Sequence, residues 1–309
     1  MEKGLVIKST GSFYSVKTEQ SELITCKARG KFRIKGIKST NPIAVGDIVY
    51  YEYDKENRLG LIKRIEARKN YIIRKSINLS HQSHIIACNI DTAYLVVTFS
   101  IPETTSMFID RFLISAEAYH IPVVILFNKM DMYQEIDLER VQAFKELYSS
   151  IGYVCKEVSA SSGLNIDWLK QQMLNKTTVF VGHSGVGKSS LVKAINSDIN
   201  LKISEISNIH LTGKHTTTFA EMFEWEKDSY IADTPGIKAF GLIDFKKEEI
   251  SHYFPEIFQA SHNCKFQNCT HSHEPGCYVK QAVENGAISS SRYFNYIAML
   301  EEDDTEKFR

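Results

Sequence analysis

No long apolar run occurs anywhere in the sequence. Its longest purely apolar stretches, such as Val123 to Phe127, are only a few residues, far short of the ~20 that a membrane-spanning helix needs. The first residues, MEKGLVIKSTGS, have no continuous apolar h-region, so no signal peptide is expected. Cysteine is sparse, with six in 309 residues. Cys26, Cys88 and Cys155 are scattered, whereas Cys264, Cys269 and Cys277 crowd together. That distribution disfavours a disulfide scaffold and favours a reducing cytosol with a metal site. Apolar and charged fractions of 43% and 24% exclude a disordered or collagen-like chain. The length suggests two or three domains with an ample core. Net charge is also absent, with 37 basic and 37 acidic residues.

That balance hides a segregation. Residues 1–75 carry 17 Lys and Arg against 8 Asp and Glu, and the remainder carries 20 against 29. A basic front on an acidic body implies an anionic partner for the front. The front reads as short strands (Gly4 to Lys8, Phe13 to Val16, Ile43 to Tyr53, Gly60 to Ile65) separated by turn residues, which fits a small barrel of the OB-fold type. If extended, the segment Lys27 to Lys35 puts Lys27, Arg29, Lys31, Arg33 and Lys35 on one face, with Phe32 and Ile34 on the other. No acidic residue falls between Glu22 and Asp47, so this stripe is a candidate contact for RNA phosphates. A solvated edge strand guarded by lysines is the competing reading.

From about residue 84 strands and helices alternate. Thr92 to Phe99, Val123 to Phe127, Val154 to Val158 and Thr178 to Val181 read as buried strands. Helical periods mark Phe108 to Tyr119, Leu138 to Leu147 and Leu164 to Leu174, with Gly152 as a stop. The alternation predicts a parallel sheet covered on both faces.

Gly182, His183, Ser184, Gly185, Val186, Gly187, Lys188 and Ser189 match GxxxxGK[ST] between a strand and a helix that opens with Ser190. Such glycines turn backbone N–H groups onto phosphates, the lysine reaches the β and γ phosphates, and the Ser189 hydroxyl ligates Mg²⁺. His183 is a variable position of that loop. Asn128, Lys129, Met130 and Asp131 follow a buried strand, at the sheet edge where open α/β folds bind ligands. The Asp131 carboxylate can accept from guanine N1–H and N2–H₂, Lys129 can cover the base, and Asn128 can tie this loop to the P-loop. Ser159 and Ala160, ending the next strand, would complete the base pocket through backbone N–H groups. Asp233-Thr-Pro-Gly236 follows another short strand. Asp233 can hold Mg²⁺ through water, and the Gly236 N–H can sense the γ-phosphate. In the polar stretch from Gly213 to Thr218, Thr217 is our choice to complete the Mg²⁺ shell.

The order of these pieces is unusual, because NKMD precedes the P-loop by about fifty residues. Spatial adjacency builds a pocket, and chain order does not. The order NKMD, SA, GHSGVGKS, HTTT, DTPG, followed by the cysteine cluster, resembles the circularly permuted GTPases of the RsgA (YjeQ) family. Val45-Gly-Asp-Ile-Val49 and Asn89-Ile-Asp91 are similar to that family too. The resemblance implies a multidomain α/β protein: an N-terminal OB-fold barrel (1–75), a circularly permuted GTPase domain (84–243) and a C-terminal helical zinc-binding domain (244–309). It further implies a cytoplasmic protein, taken as monomeric, that acts in late maturation of the small ribosomal subunit, contacts its rRNA and hydrolyses GTP under that subunit's stimulation.

Three thiols and an imidazole in Cys264-x4-Cys269-x-His271-x5-Cys277 suit a closed, structural zinc site, with His262 and His273 as rival ligands. The family pattern selects His271. The loop from Asn263 to Gly276 has little apolar content, so metal is expected to supply stability that a core cannot. Beyond it, Tyr293, Tyr296, Ile297 and Leu300 share a helical face suited to packing.

Where many GTPases carry a water-orienting Gln, this chain has Ile237, which cannot hold a water. His215 is the local substitute, since imidazole accepts from water near neutral pH; the resemblance points to the same residue, and a solvent-exposed loop histidine is the alternative. Two other functional classes remain: an RNA tether whose nucleotide is only structural, and a small-molecule kinase or ATPase.

Overall fold

The computed structural model describes residues 1–28, 42–75, 83–198, 220–233 and 246–302. In the front region β1 (Glu2–Ser9), β2 (Tyr14–Thr18), β3 (Leu23–Ala28), β4 (Ile48–Asp54) and β5 (Leu59–Ile65) pair in the order β1-β2-β3-β5-β4, and β4 closes onto β1. Every pairing is antiparallel except β3 with β5. This is a closed five-strand barrel of the expected OB type. Alternation drives it: Val6, Val16, Cys26, Val49, Tyr51 and Ile62 fill the interior, while Lys27, next to Cys26, is exposed. Gly60 pairs with Cys26, and a Cβ there would lie 2.4 Å from the Cys26 sulfur. Only glycine lets the two strands approach so closely.

β6 (Tyr71–Lys75), counted with the barrel in the sequence-based division, pairs with β7 (Ser83–Cys88) instead, and Ile72 joins the core of the α/β unit. The hairpin is stitched to the barrel by the Cys88 N–H on the Val45 carbonyl (2.9 Å) and the Asn89 amide on the Gly46 carbonyl (2.8 Å). Gly46 has φ +92°, and a Cβ there would sit 2.1 Å from the Cys88 carbonyl oxygen. Buried Asp47 accepts a bidentate pair from Arg68 at 2.7 and 2.6 Å. The two short motifs at Val45 and Asn89 are therefore the two halves of one junction.

The second unit is a sheet in the order β10-β9-β8-β11-β13-β12. β8 (Thr92–Val97), β9 (Val123–Phe127), β10 (Val154–Glu157), β11 (Thr177–Val181) and β13 (Ser229–Asp233) are parallel, and β12 (Glu221–Glu226) runs antiparallel to β13. All six residues of β8 are buried, as its unbroken apolar run requires. Helices α1 (Ser106–Ala118) and α2 (Glu135–Ile151) pack Ile109, Phe112, Val141 and Tyr148 on one face. On the other, α3 (Ile166–Met173) and α4 (Lys188–Ile195) pack Leu169, Met173, Leu191 and Ile195. α2 stops at Gly152, whose φ is +110°, the left-handed cap that glycine adopts without strain. At the far edge Glu221 of β12 registers with Lys8 of β1, so barrel and sheet are continuous.

The C-terminal unit is a 3₁₀ segment (Lys247–Tyr253) followed by α5 (Pro255–Ser261), α6 (Tyr278–Glu284) and α7 (Ser290–Glu301). Its core takes Ile250, Phe254, Ile257, Val279, Tyr296 and Met299, together with Ile114 of α1. The expected stripe on α7 is apolar and packed, but the deepest face belongs to Arg292, Asn295, Tyr296 and Met299. Arg292, 1% exposed, binds Asp110 of α1 at 2.7 Å and Glu256 of α5 at 2.7 Å. Asn295 and Tyr148 also donate to Asp110, at 2.6 and 2.7 Å. No helix among the described residues is long and apolar enough to cross a membrane.

Candidate functional site

Parallel strands end on a common edge, and the chemical motifs lie there. NKMD follows β9, Ser159 and Ala160 follow β10, the glycine-rich loop follows β11, and Asp233 ends β13. Pairing of Phe127 with Val97 and Glu157, and of Val181 with Leu95, levels the strand ends. This is the edge where open α/β sheets receive ligands.

The loop itself needs glycine three times. Gly182, Gly185 and Gly187 have φ of +146°, +87° and +96°, a region costly for residues with a Cβ. Val186 is buried between them, while Ser184 and Gly185 are exposed. α4 begins at Lys188, so its N-terminal N–H groups and positive dipole end face the loop; exposed Ser189 and Ser190 occupy its first turn. The Lys188 ammonium donates to the Gly182 and His183 carbonyls, both at 2.7 Å. The His183 ring lies 3.8 Å from that of Phe108, centroid to centroid.

Asn128 is 1% exposed, and its amide donates to the Val186 carbonyl at 2.8 Å. The link foreseen between the two loops is present. Lys129 has φ +67° and donates to the Ile101 carbonyl at 2.5 Å. Asp131 is exposed at the rim. Its carboxylate accepts one hydrogen bond on each oxygen, from Ser159 and from Ser161 at 2.5 and 2.6 Å. Those hydroxyls, Ser159 first, hold its carboxyl below the ordinary range. The Ser159 N–H does not face the site; it donates to the Leu164 carbonyl at 3.1 Å. What Ser159 presents to Asp131 is its hydroxyl. His215, Thr217 and Gly236 lie outside the described residues, as do Arg29, Lys31, Arg33 and Lys35. Of the basic stripe, Lys27 is described, with its ammonium 5.7 Å from the centre of the Phe13 ring.

The second constellation is Cys264, Cys269, His271 and Cys277, whose ligand atoms all lie within 4.8 Å of one another and could hold a metal ion. Cys264 and Cys277 sulfurs are 3.9 Å apart, and the His271 Nδ1 is 3.6 and 3.5 Å from them. A tetrahedron built on bonds of ~2.3 Å to sulfur and ~2.0 Å to nitrogen has edges close to these values. Burial pushes the Cys269 thiol up to about 12, raises that of Cys277 and lowers the pKa of His271, which favours the neutral imidazole. A neutral imidazole is ready to ligate, and only a cation would let buried thiols ionise together. The donor set thus fits a metal. The backbone around it is pinned, with the Tyr293 and Tyr296 hydroxyls donating to the His271 and Thr270 carbonyls at 2.7 and 2.6 Å. Burial opposes ionisation of Glu274, but hydrogen bonds from Thr270 outweigh it and bring its carboxyl to about 2. Beneath the loop, helices α5 to α7 and Ile114 supply a core of their own.

Ser161, Arg292, Asp110 and Arg68 were not singled out from sequence. Ser161 had one available signal, its place two residues after Ser159 on the same loop. The others had none, since Arg292 and Asp110 are 182 residues apart.

Two family descriptions match the chain: RsgA N-terminal domain over residues 3–62 and RsgA GTPase over residues 65–243. The small ribosomal subunit biogenesis GTPase RsgA 2 of Bacteroides thetaiotaomicron is 55% identical over 307 residues, covering 99% of each chain. The RsgA of Flavobacterium psychrophilum is 52% identical over 303 residues, covering 97% of this chain and 93% of its own. Among solved structures, YjeQ from Thermotoga maritima superposes with a TM-score of 0.79 at 37% identity, covering 97% of both chains. YloQ, described as a circularly permuted GTPase, gives 0.76 at 32% identity, covering 100% of this chain and 97% of its own. With the permuted motif order on one sheet edge, and these matches across nearly its whole length, the chain belongs to the RsgA GTPase family of GTP-hydrolysing enzymes.

Proposed function

We propose that this protein is a GTPase of small ribosomal subunit biogenesis that acts late in maturation and hydrolyses GTP when that subunit engages it. The observation that carries the reading is the 2.8 Å hydrogen bond from Asn128 to Val186, which brings a guanine-type loop against a phosphate-type loop. In this reading Gly182 to Ser190 cradle the phosphates, Lys188 neutralises them, and Asn128, Lys129, Met130 and Asp131 receive guanine beside Ala160. Ser189 and Thr217 ligate Mg²⁺, Asp233 holds it through water, Gly236 senses the γ-phosphate, and His215 orients the attacking water. Cys264, Cys269, His271 and Cys277 hold a structural Zn²⁺. The barrel lays Lys27, Arg29, Lys31, Arg33 and Lys35 on rRNA. The units divide as 1–75, 84–243 and 244–309, with the β6–β7 hairpin across the first junction. The protein works in the cytoplasm as a monomer.

Nucleotide-dependent ordering of Thr216 to Thr218 and Gly236 would shift the relative placement of barrel and metal unit on RNA, and hydrolysis would release the protein. The test is GTP turnover with and without purified small subunits across a salt series. Stimulation that declines as salt rises is expected of a basic surface docking on phosphates. Turnover indifferent to added subunits rejects the switch and leaves the RNA-tether alternative. A kinase or ATPase reading is tested by Asp131→Asn, which exchanges guanine for xanthine preference only if Asp131 reads the base.

A further inference from the structure

The carboxylate of Asp131 has a geometric problem that its own backbone does not solve. To accept from two adjacent N–H groups of one base, both oxygens must lie in the plane of that base. The terminal torsion of aspartate is broad and two-fold, so an exposed carboxylate rocks freely about it. Here each oxygen is held by a different serine. The buried Ser159 hydroxyl donates to Oδ1 at 2.5 Å, and itself accepts from the Ser162 N–H at 3.1 Å. The Ser161 hydroxyl donates to Oδ2 at 2.6 Å, with the two serine oxygens 3.3 Å apart. One bond to Ser159 alone would leave rotation about that contact open. A second bond, to the other oxygen, removes it.

We propose that Ser161 is a specificity-determining positioning residue: its hydroxyl sets the plane of the Asp131 carboxylate and so sharpens selection for a purine carrying adjacent ring N–H and exocyclic amino donors. Each carboxylate oxygen has two acceptor sites, so one bond from each serine leaves one site per oxygen for the base. The same two hydroxyls favour the ionised, acceptor-only form that such a base requires. Ser161 is exposed, so its hydroxyl works from the solvent side, where the buried Ser159 cannot reach. This inference rests on the guanine reading of the pocket and goes beyond it, since Ser161 lies outside the NKMD and Ser159–Ala160 motifs.

The experiment compares GDP with IDP, which lacks the exocyclic amino group, by equilibrium titration of the full-length protein and its variants. Ser161→Ala should weaken GDP roughly 3- to 10-fold, the scale of one ordinary hydrogen bond, because the lost contact acts on the base only through Asp131. IDP should weaken less, so the GDP/IDP ratio falls. Ser161→Thr keeps the hydroxyl and should restore both values; a merely structural loop residue would shift the two nucleotides together. If Ser161→Ala leaves the ratio unchanged, or tightens GDP because the hydroxyl only occupies the base's place, the inference is overturned. Asp131→Asn separates the two failures. A switch toward xanthine nucleotide alongside a neutral Ser161→Ala sinks only the role of Ser161, whereas no switch sinks the guanine pocket itself.

Discussion

The side-chain amide of Asn128 donates to the carbonyl of Val186 across 58 residues of chain, and both residues are buried. The bond reunites two loops that the permuted order places on different strands. Gly187 is the space that admits it, because a Cβ there would lie 2.4 Å from the Asn128 nitrogen.

Asn128→Ala should therefore strand the Val186 carbonyl, at a cost of about 1–3 kcal/mol. Urea unfolding of the variant should show that loss, and GDP affinity should fall with it. Gly187→Ala should be at least as damaging, since it combines the clash with a φ of +96°. Stability unchanged in both variants would mean the loops are held together by other contacts.

His215→Ala is expected to keep GTP affinity and lose roughly 10²- to 10⁴-fold of subunit-stimulated turnover, the range typical of one general base. Single-turnover hydrolysis with added small subunits measures it. Turnover within twofold of the parent would remove His215 from the chemistry.

Arg292 and Asp110 join the C-terminal unit to the sheet unit, both side chains buried. Removing Arg292 leaves the buried Asp110 carboxylate without its cation, which typically costs about 3–5 kcal/mol. Arg292→Met should thus destabilise strongly, and Asp110→Asn added to it should recover part of the loss. A denaturation cycle on the four proteins reads the coupling; additive effects would mean the pair contributes no linkage between units.

The fit of four ligand atoms to a tetrahedron predicts about one zinc per chain by metal analysis. Cys277→Ser, or a strong chelator, should release it and expose the loop from 264 to 277 to protease while leaving the barrel intact. A stoichiometric metal that survives Cys277→Ser would place the ligands elsewhere.

Lys17 bridges the barrel to the sheet unit, donating to Glu224 at 2.5 Å and to the Tyr230 hydroxyl at 2.9 Å. Burial works against the Lys17 charge, yet these partners raise its pKa; burial likewise opposes the Glu224 charge, yet Lys17 holds that carboxyl below its ordinary value. A raised lysine stabilises below its ordinary pKa and loses that contribution as pH climbs through the raised value. A lowered glutamate stabilises above its ordinary pKa and loses it as pH falls through the lowered one. Lys17→Met should consequently cost on the order of 1 kcal/mol at neutral pH, with the difference from the parent shrinking below about pH 4 as Glu224 becomes neutral. A difference that stays constant through that acid range would rule out the pair.

Local pattern was enough for much of this. The unbroken apolar run of β8, the alternation around Cys26 and Lys27, the glycine after α2 and the P-loop between strand and helix are all consequences of short-range period and backbone preference. The β6–β7 hairpin was not legible, because which strand takes Tyr71 to Lys75 depends on whether the barrel has closed without it. Ser159 shows a subtler limit: its place at a strand end was readable, but whether its N–H or its hydroxyl serves the site depends on the turn to Leu164.

By itself the sequence determined most of the local elements and the identity of the chemical groups, because turn chemistry, periodicity and ligand spacing act over a few residues. Only the tertiary structure decided most of the partnerships: Ser161 with Asp131, Arg292 with Asp110, Lys8 with Glu221. Such partners are chosen by strand order and by the cost of leaving a buried polar group unpaired, and neither is written into any local stretch of chain.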